Sequence, residues 1–262
     1  MAENKTALVT GASSGIGYEL ARLFARDGYD MVLVARTEEK LEQVKAEMEK
    51  RHGIKVTVLV KDLARPSAPQ EIKEQLEAAG ISIDILVNNA GFTEFGLFTE
   101  TDLNKELQML QVNVAALTHL TKLFLPSMVE RRAGKILNLA STAAFFPGPL
   151  MAVYYATKAY VLSFSEALAN EVGDKGVTVT ALCPGITATG FQKRGNMEDS
   201  GLVAGRKIMD ARTVARIGYR GMMKGQAVVV TGLSNRIIVQ ASRFIPRGMA
   251  RYLIRNAQER VE

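Results

Sequence analysis

The sequence predicts an α/β domain with one doubly wound parallel sheet of about seven strands, flanked by helices. Two observations predict this fold. Short runs rich in Val, Ile and Leu alternate with amphipathic helical patterns along the chain to about residue 232. The first run, 5–10, leads through a glycine-rich turn into a helical pattern at 18–28. With no repeat, low-complexity linker or second core in view, we treat residues 1–262 as a single domain.

Composition places the chain among ordinary globular proteins. Of its 262 residues, 47% are hydrophobic and 23% are charged, so disorder is not expected. One Cys allows no internal disulfide, which gives no sign of an oxidising compartment. The N-terminus has no signal-peptide pattern, and no apolar run reaches about 18 residues. These features predict a cytoplasmic protein.

The glycine-rich turn 10-TGASSGIG-17 has the pattern of a phosphate-binding loop. A strand, a glycine-rich turn and a helix in succession direct backbone N–H groups at a bound phosphate. Gly11 permits the tight turn, Gly15 lets the backbone approach a pyrophosphate, and Gly17 allows close helix–strand packing. The alternative, a plain turn, is disfavoured by the strand and the helix on either side. We therefore expect a bound dinucleotide.

The second strand, 29–36, ends in Arg36, which lies 19 residues after Gly17. At this separation, dinucleotide-binding folds contact the adenosine ribose. An acidic side chain would accept hydrogen bonds from the 2′-hydroxyl of NAD, whereas Arg pairs with the 2′-phosphate of NADP. Residues 34–37 contain no Asp or Glu, so the sequence predicts NADP(H). The alternative is that Arg36 is a solvated residue at the start of the next helix.

The remaining elements follow in regular alternation. The patterns predict helices at 38–53, 70–80, 102–130, 152–172 and 211–223, and strands at 54–60, 83–91, 134–141, 176–185 and 226–232. Polar residues mark several strand ends, where ligands of open α/β sheets bind: Asp62 follows the third strand, Asn88 and Asn89 end the fourth, and Ser141 ends the fifth. Asn113 lies among apolar residues within a helix, so its side-chain amide is expected to form hydrogen bonds.

Tyr154 and Lys158 are four residues apart on the helix predicted at 152–172. They therefore share one helical face, and an ammonium beside a phenol is expected to lower the pKa of that phenol. This arrangement suits acid–base catalysis. The apolar side chains nearby either line a substrate cleft or pack the core: Phe92, Phe95, Phe145, Phe146, Pro149, Leu150 and Met151.

Together, several motifs resemble those of the short-chain dehydrogenase/reductase family. In chain order they are TGASSGIG, NNAG at 88–91, Asn113, Ser141, YYATK at 154–158 and PGITAT at 184–189. The resemblance covers nearly the whole chain to about residue 190 and is to NADPH-type bacterial reductases. It implies a Rossmann-type fold, with Tyr154 as proton donor and Lys158 holding the nicotinamide ribose. Ser141 would orient the substrate carbonyl, and Asn113 would support a water leading to Lys158.

The resemblance also implies a set of cofactor-binding residues. In the phosphate turn they are Gly11, Ser13, Ser14, Gly15, Ile16 and Gly17. Arg36, Asp62 and Leu63 would bind the adenine end, and Asn89, Ala90 and Gly91 would lie beside the adenosine ribose. Tyr154, Lys158, Ile186, Thr187 and Thr189 would contact the nicotinamide end.

The implied activity is NADPH-dependent reduction of a carbonyl group, of ketone, aldehyde or 3-oxoacyl type, to an alcohol, on a small substrate that is expected to be apolar. The alternative is a non-catalytic NADP-binding scaffold or sensor on the same fold. His52 and His119 lack neighbours with metal-ligand spacing, so no metal site is expected.

The C-terminal part of the chain is basic, with 12 Lys/Arg against 3 Asp/Glu in residues 206–262, a local net charge of +9. Residues 190–225 are expected to include a substrate lid, and 234–262 two amphipathic helices divided at Pro246. This segment would suit a membrane, a carrier protein or a subunit interface. A subunit interface is favoured because family members usually form homodimers or homotetramers, and nucleic-acid binding is not expected.

Overall fold

The computed structural model describes residues 5–191, 195 and 208–259. Its strands are β1 (Thr6–Thr10), β2 (Asp30–Ala35), β3 (Val56–Val60), β4 (Ile85–Asn88), β5 (Gly134–Leu139), β6 (Val177–Cys183), β7 (Thr187–Ala188), β8 (Met209–Asp210) and β9 (Val228–Val230). Seven of them form one parallel sheet in the order β3-β2-β1-β4-β5-β6-β9, and β7 pairs with β8 separately. The predicted fold class is confirmed.

Helices cover both faces of this sheet. They are α1 (Gly15–Arg26), α2 (Glu38–His52), α3 (Ala68–Ala78), α4 (Leu103–Leu110), α5 (Leu117–Glu130), α6 (Ala152–Val172), α7 (Ala211–Met223), α8 (Leu233–Ala241) and α9 (Arg247–Gln258). One core cluster packs α1, α2 and α7 against one face of the sheet, and a second packs α3, α5 and the end of α6 against the other. The strands are apolar along most of their length because both faces are buried.

The strand order reverses between β1 and β4. From β1 the chain proceeds outward through β2 and β3, then returns to place β4 on the other side of β1. Ligands of doubly wound sheets bind outside the carboxyl ends of the strands at such a point. The glycine-rich turn after β1 and the Asn-rich segment after β4 meet at this edge.

The helix predicted over 102–130 is divided by a π-helical segment, Gln111–Ala116, between α4 and α5. Pro126 lies inside α5, which continues to Glu130. By length and composition, Leu103–Glu130 is apolar enough to cross a membrane, with a mean hydropathy of 1.2. However, Leu120, Phe124 and Met128 are buried in the second core cluster, so α5 packs as a core helix.

A buried chain of hydrogen bonds fixes α5 and α6 on β4 and β5. The Asn88 side-chain amide donates to the Thr121 hydroxyl at 3.0 Å and to Asn138 Oδ1 at 2.9 Å, and Asn138 Nδ2 donates to the Ser165 hydroxyl at 2.9 Å. Asn88, at the end of β4, thus joins this strand to α5 and β5. Buried amides remain in a core only when they are paired in this way.

The region expected to hold a lid, 190–225, contains two different parts. Most of its first half, 192–194 and 196–207, lies outside the described residues. Helix α7 in its second half is a core helix, because Val214, Tyr219 and Met222 pack into the first core cluster. Tyr219 also donates a hydrogen bond from its hydroxyl to Asp27 Oδ2 at 2.6 Å. The lid prediction therefore applies only to the segment before α7.

Candidate active site

A cleft of about 990 Å³ runs along the carboxyl edge of the sheet. Its wall is formed by turns after β1, β2, β3, β4, β5 and β6, and by the beginning of α6. Most of the residues expected to bind cofactor or substrate line it: Gly11, Ser13, Ser14, Gly15, Ile16, Arg36, Asp62, Leu63, Asn89, Ala90, Gly91, Ser141, Tyr154, Lys158, Ile186, Thr187 and Thr189. Gly17 and Asn113 are the two that do not, because both are buried behind the wall.

The phosphate turn is locked to the end of β4 by hydrogen bonds. Asn89 Nδ2 donates to the Thr10 carbonyl at 2.8 Å and to the Gly11 carbonyl at 3.3 Å. The Thr10 hydroxyl accepts from the backbone N–H groups of Asn89 and Ala90, both at 3.0 Å. Thr10 begins the motif TGASSGIG, but its role as a hydrogen-bond acceptor was not predicted, because the motif was interpreted through its glycines.

Close packing around this turn explains its glycines. Gly11 has φ +66°, and a Cβ there would lie 2.8 Å from Asn89 Nδ2. A Cβ on Gly17 would collide with the Asn89 amide and the Gly11 carbonyl. The turn therefore approaches both α1 and β4 without side chains between them. This space fits the pyrophosphate of a dinucleotide, which the N-terminus of α1 would face.

Two cations lie at the far end of the cleft, beyond the phosphate turn. Arg36 follows β2, and Lys40 lies in the first turn of α2; both side chains are exposed and both line the cleft. The role of Lys40 was not predicted from the sequence, because Lys40 is one of many charged residues in α2. Asp62 Oδ1 accepts from the Ala64 backbone N–H at 3.0 Å, which shapes the turn after β3.

Tyr154 and Lys158 lie on one face of α6, as predicted. Lys158 Nζ lies 5.7 Å from the centroid of the Tyr154 ring and donates a hydrogen bond to the Leu139 carbonyl at 2.7 Å. Both side chains are buried, with exposed fractions of 9% for Tyr154 and 4% for Lys158. The carbonyl at the end of β5 thus fixes the ammonium beside the phenol.

The expected lowering of the Tyr154 pKa is wrong for this structure. Burial raises the pKa of Tyr154 to about 12, and its hydrogen bond with Ser141 offsets only part of this rise. Burial also lowers the pKa of Lys158 to about 8, so the neighbouring cation is itself disfavoured. Desolvation is the largest influence on both pKa values. Tyr154 is therefore held in its protonated form at neutral pH, as a proton donor requires.

Ser141 lies at the end of β5, beside Tyr154. Its hydroxyl oxygen accepts a hydrogen bond from the Ala143 backbone N–H at 3.1 Å, which starts the 3₁₀ turn Thr142–Phe145. Its hydrogen points to the Pro184 carbonyl over a long 3.4 Å. This weak donation leaves the hydroxyl able to turn to an oxygen bound beside Tyr154.

Asn113 lies in the π-helical segment, and its side-chain amide forms hydrogen bonds to the loop that follows β4. Its Oδ1 accepts from the Phe92 backbone N–H at 3.1 Å, and its Nδ2 donates to the Phe92 carbonyl at 3.0 Å and the Thr157 hydroxyl at 3.2 Å. A Cβ on Gly91 would lie 2.9 Å from Asn113 Oδ1 and 3.6 Å from Lys158 Nζ. Asn113 and Lys158 therefore flank the same glycine. The water expected between them stays a prediction.

The neighbouring Tyr155 has a different set of contacts. Its hydroxyl accepts a hydrogen bond from Gln258 Nε2, at the end of α9, at 2.7 Å. Its ring packs so closely on Gly148 that a Cβ there would collide with it. Burial raises the pKa of the Tyr155 hydroxyl well above its ordinary value. Tyr155 thus ties the loop before α6 to the C-terminal helix.

Apolar side chains form the part of the cleft next to Tyr154. Of the expected residues, Phe92, Phe146 and Met151 line the cleft, Phe95 and Leu150 pack in the cluster behind it, and Phe145 packs beside β6. Further lining residues come from C-terminal segments: Phe191, Ser234, Asn235, Ile238, Ile254 and Ala257. Except for Phe191, these residues lie far along the chain from the motifs, so the sequence did not indicate that they line the cleft.

Among residues 5–191, 195 and 208–259, no group of three His, Cys, Asp or Glu side chains is placed to hold a metal ion. Cys183 is buried near Lys158, and burial raises the pKa of its thiol to about 12. The polar groups that line the cleft are hydroxyls, amides and cations, together with the carboxylates of Asp62 and Glu94.

Comparison with known proteins gives consistent matches. The family model described as short chain dehydrogenase matches residues 5–199. A very-long-chain 3-oxoacyl-CoA reductase from Pyrenophora tritici-repentis is 35% identical over 231 residues, or 86% of this chain and 67% of that protein. The 17-beta-hydroxysteroid dehydrogenase type 3 of Mus musculus is 33% identical and matches 97% of this chain and 85% of its own. The chain spans 61% to 71% of the length of the first 3-oxoacyl-CoA reductases that it matches.

Solved structures agree with these matches. A short-chain dehydrogenase from Sphingobium yanoikuyae, in complex with NADPH, superposes with a TM-score of 0.83 at 32% identity, over 92% of this chain and 94% of that one. A bulky-bulky ketone specific alcohol dehydrogenase from Comamonas testosteroni superposes with a TM-score of 0.78 at 28% identity, over 92% of each chain.

Proposed function

The chain belongs to the short-chain dehydrogenase/reductase family and is an oxidoreductase acting on alcohol and carbonyl groups, and we propose that it reduces a ketone or 3-oxoacyl carbonyl with NADPH, using Tyr154 as general acid. The observation that carries this proposal is the buried Tyr154 beside Lys158 and Ser141 at the apolar part of the cleft, where burial raises the pKa of the phenol to about 12. When bound, NADPH supplies the hydride that the carbonyl carbon accepts.

The side chains divide the remaining work between them. The Ser141 hydroxyl and the Tyr154 phenol both donate hydrogen bonds to the carbonyl oxygen, which orients the substrate and stabilises the developing negative charge. Tyr154 then gives its proton to that oxygen, which becomes the alcohol hydroxyl. Lys158 stabilises the phenolate left on Tyr154, and Asn113 keeps Gly91 and the loop after β4 close to Lys158.

The cofactor part of the proposal depends on Arg36 and Lys40. A 2′-phosphate at the end of β2 would be paired by the Arg36 guanidinium and attracted by the Lys40 ammonium. NADH has no 2′-phosphate with which either charge could pair. The NADPH complex of the Sphingobium relative supports the same preference.

The substrate part of the proposal depends on the apolar lining. Phe92, Phe146, Met151, Phe191 and Ile254 surround the space beside Tyr154 and favour a hydrophobic body attached to the carbonyl. The named activities of the relatives, 3-oxoacyl-CoA reduction and hydroxysteroid oxidation, support a large apolar substrate.

The proposal is tested by Tyr154→Phe, with Tyr155→Phe as the matched control on the same helix. We expect Tyr154→Phe to lower kcat for NADPH-dependent reduction of bulky ketones by about 10²- to 10⁴-fold, the usual contribution of a general acid. Tyr155→Phe should retain most of kcat at saturating ketone, because its hydroxyl bonds to Gln258. Losing that bond is expected to change KM instead, by loosening α9. Full activity in Tyr154→Phe, or loss only in Tyr155→Phe, would overturn the assignment.

The cofactor preference is tested separately by binding. We expect wild-type protein to bind NADPH more tightly than NADH, and Arg36→Ala to remove most of the difference, about tenfold or more for a charge-assisted phosphate contact. Fluorescence titration of both cofactors gives the dissociation constants. Equal affinities in the wild type would contradict the preference without touching the role of Tyr154.

A further inference from the structure

The outer surface of the two C-terminal helices is strongly apolar. Helices α8 and α9 and the 3₁₀ turn Ser242–Phe244 between them leave large apolar side chains in solvent: Leu233, Ile237, Ile238, Phe244, Met249, Tyr252 and Leu253. Phe244 is 87% exposed and Leu233 is 74% exposed. Together with Arg236, Arg243, Arg247, Arg251 and Arg255, these residues form what we call the C-terminal surface. Apolar surface of this extent usually marks an interaction site.

The C-terminal surface is also positively charged. The described residues 233–259 contain five arginines and one carboxylate, Glu259, which forms a salt bridge with Arg255 at 3.0 Å. Four arginines in this segment therefore have no carboxylate from it to offset them. The partner of such a surface is expected to be apolar in part and negatively charged.

Helix α9 has apolar side chains on both its inward face and its outward face. Ala250, Ile254 and Gln258 are spaced four residues apart and point inward, where Gln258 bonds to Tyr155 and Ile254 lines the cleft. Met249 and Tyr252 point away from that face, to solvent. An exposed apolar face that the fold itself does not need is typical of a helix lying at a membrane interface.

We propose that the C-terminal surface docks on an anionic phospholipid bilayer. Phe244, Ile237 and Tyr252 would enter the headgroup region, while the arginines would pair with lipid phosphates. The sequence alone favoured a subunit interface for this segment. However, two copies joined face to face through the surface would bring uncompensated arginines together, whereas an anionic bilayer complements them.

The docked orientation gives the cleft access to the bilayer. Ile238 is half exposed on the C-terminal surface and also lines the cleft, and Ile254 and Ala257 line it from the adjacent helix. An apolar substrate dissolved in lipid would therefore reach the cleft without crossing water. This consequence rests on the proposed function of the cleft, but the docking itself does not.

Co-sedimentation of the full chain with lipid vesicles tests the docking. One set of vesicles contains equal parts of phosphatidylcholine and phosphatidylglycerol, and the other contains phosphatidylcholine alone. We expect binding to the anionic vesicles that decreases as salt is added. Phe244→Asp, and Arg243→Gln with Arg247→Gln, should each weaken it by about tenfold or more.

The matched control is Phe98→Asp, which places the same charge at another exposed phenylalanine, 65% exposed, outside the C-terminal surface. It should pellet like the wild type. The docking is overturned if the wild type does not pellet, if it pellets equally with neutral vesicles, or if Phe98→Asp weakens binding as much as Phe244→Asp does. A soluble oligomer that Phe244→Asp dissociates, with no pelleting, would assign the surface to a second copy. Because no readout uses catalysis, failure of the docking would leave the function of Tyr154 standing.

Discussion

Burial controls the protonation of the Tyr154–Lys158 pair. From sequence spacing alone, the ammonium was expected to lower the pKa of the phenol, and the structure shows the opposite because both groups are removed from water. A helical spacing predicts which side chains are neighbours, but it carries no information on how deeply the surrounding chain buries them. The positions of Tyr154, Lys158 and Ser141 were predictable from the sequence, and their electrostatics were not.

The lowered pKa of Lys158 predicts a specific effect of pH on stability. Between its folded pKa of about 8 and its ordinary value of 10.5, the folded protein binds fewer protons at this site than the unfolded chain. The free energy of unfolding therefore rises with pH in this window. Relative to Lys158→Met, we expect the wild type to gain about 2 kcal/mol between roughly pH 8 and pH 10.

Urea unfolding of both proteins at a series of pH values measures this gain. Lys175→Met, at an exposed lysine in the turn after α6, serves as the control for removing one positive charge. A difference between the wild type and Lys158→Met that stays constant across the window would contradict the lowered pKa.

At the scale of single elements, Gly17 decides how closely α1 approaches the end of β4. An added methyl group would meet the Asn89 amide and the Gly11 carbonyl, and neither can move without breaking the hydrogen bonds that hold the phosphate turn. We expect Gly17→Ala to lower the free energy of unfolding by about 1–3 kcal/mol, the usual cost of overpacking, and to weaken cofactor binding. Gly173→Ala is the control, since a Cβ there meets no atom within 4 Å. Equal stability of the two variants in chemical denaturation would refute this packing argument.

Gln258, which is fully buried, is one of the residues that attach α9 to the rest of the protein. Gln258→Leu would remove its hydrogen bond with Tyr155 and leave a buried phenol without that partner, at a cost of about 1–3 kcal/mol. We expect faster hydrogen exchange throughout α9 and a higher KM for bulky ketones, because Ile254 would no longer close the cleft. The KM for small ketones should change little.

Asn256→Leu, an exposed position on the same helix, controls for the change in side chain. Unaltered hydrogen exchange in the α9 of Gln258→Leu would show that other contacts hold the helix.

Sequence patterns predicted most elements to within a few residues, but they missed the break in the helix at 102–130. The π-helical segment turns the Asn113 amide toward the backbone of Phe92, which is about twenty residues earlier and on another element. A local pattern cannot show such a partner. Asn113, a polar residue in the middle of the helix, was the only sign of the break. It indicated that the amide forms hydrogen bonds, but not with which partner.

At the scale of the whole molecule, the cleft combines a predictable half and an unpredictable half. The cofactor half lies mostly on turns that directly follow strands, so most of its residues could be predicted from motifs and strand ends; Lys40, in α2, could not. The substrate half draws on α8 and α9, where Ile238 and Ile254 are about a hundred residues from Tyr154 in sequence. Apolar residues in an amphipathic helix look alike whether they face a cleft, a partner or a membrane, and only the fold separates the two faces of α9.

The whole molecule also presents a second exposed apolar region, which differs from the C-terminal surface in charge. Leu103, Leu107 and Leu110 form a stripe along α4 and are 67%, 53% and 41% exposed. The charges of α4 itself, Lys105 and Glu106, cancel, so two copies of this stripe can meet without repulsion. The expected homo-oligomer is therefore predicted to form through α4, leaving the C-terminal surface free for lipid.

Sedimentation velocity of Leu107→Asp, with Phe244→Asp as its matched partner, tests this division of surfaces. We expect Leu107→Asp to shift the protein toward the monomer, because a buried unpaired carboxylate at a contact between copies is strongly unfavourable. It should leave vesicle binding largely intact. Phe244→Asp should weaken vesicle binding and retain the oligomer of the wild type. If Leu107→Asp sediments like the wild type, or if the wild type is itself a monomer at micromolar concentration, the stripe on α4 is not a subunit interface.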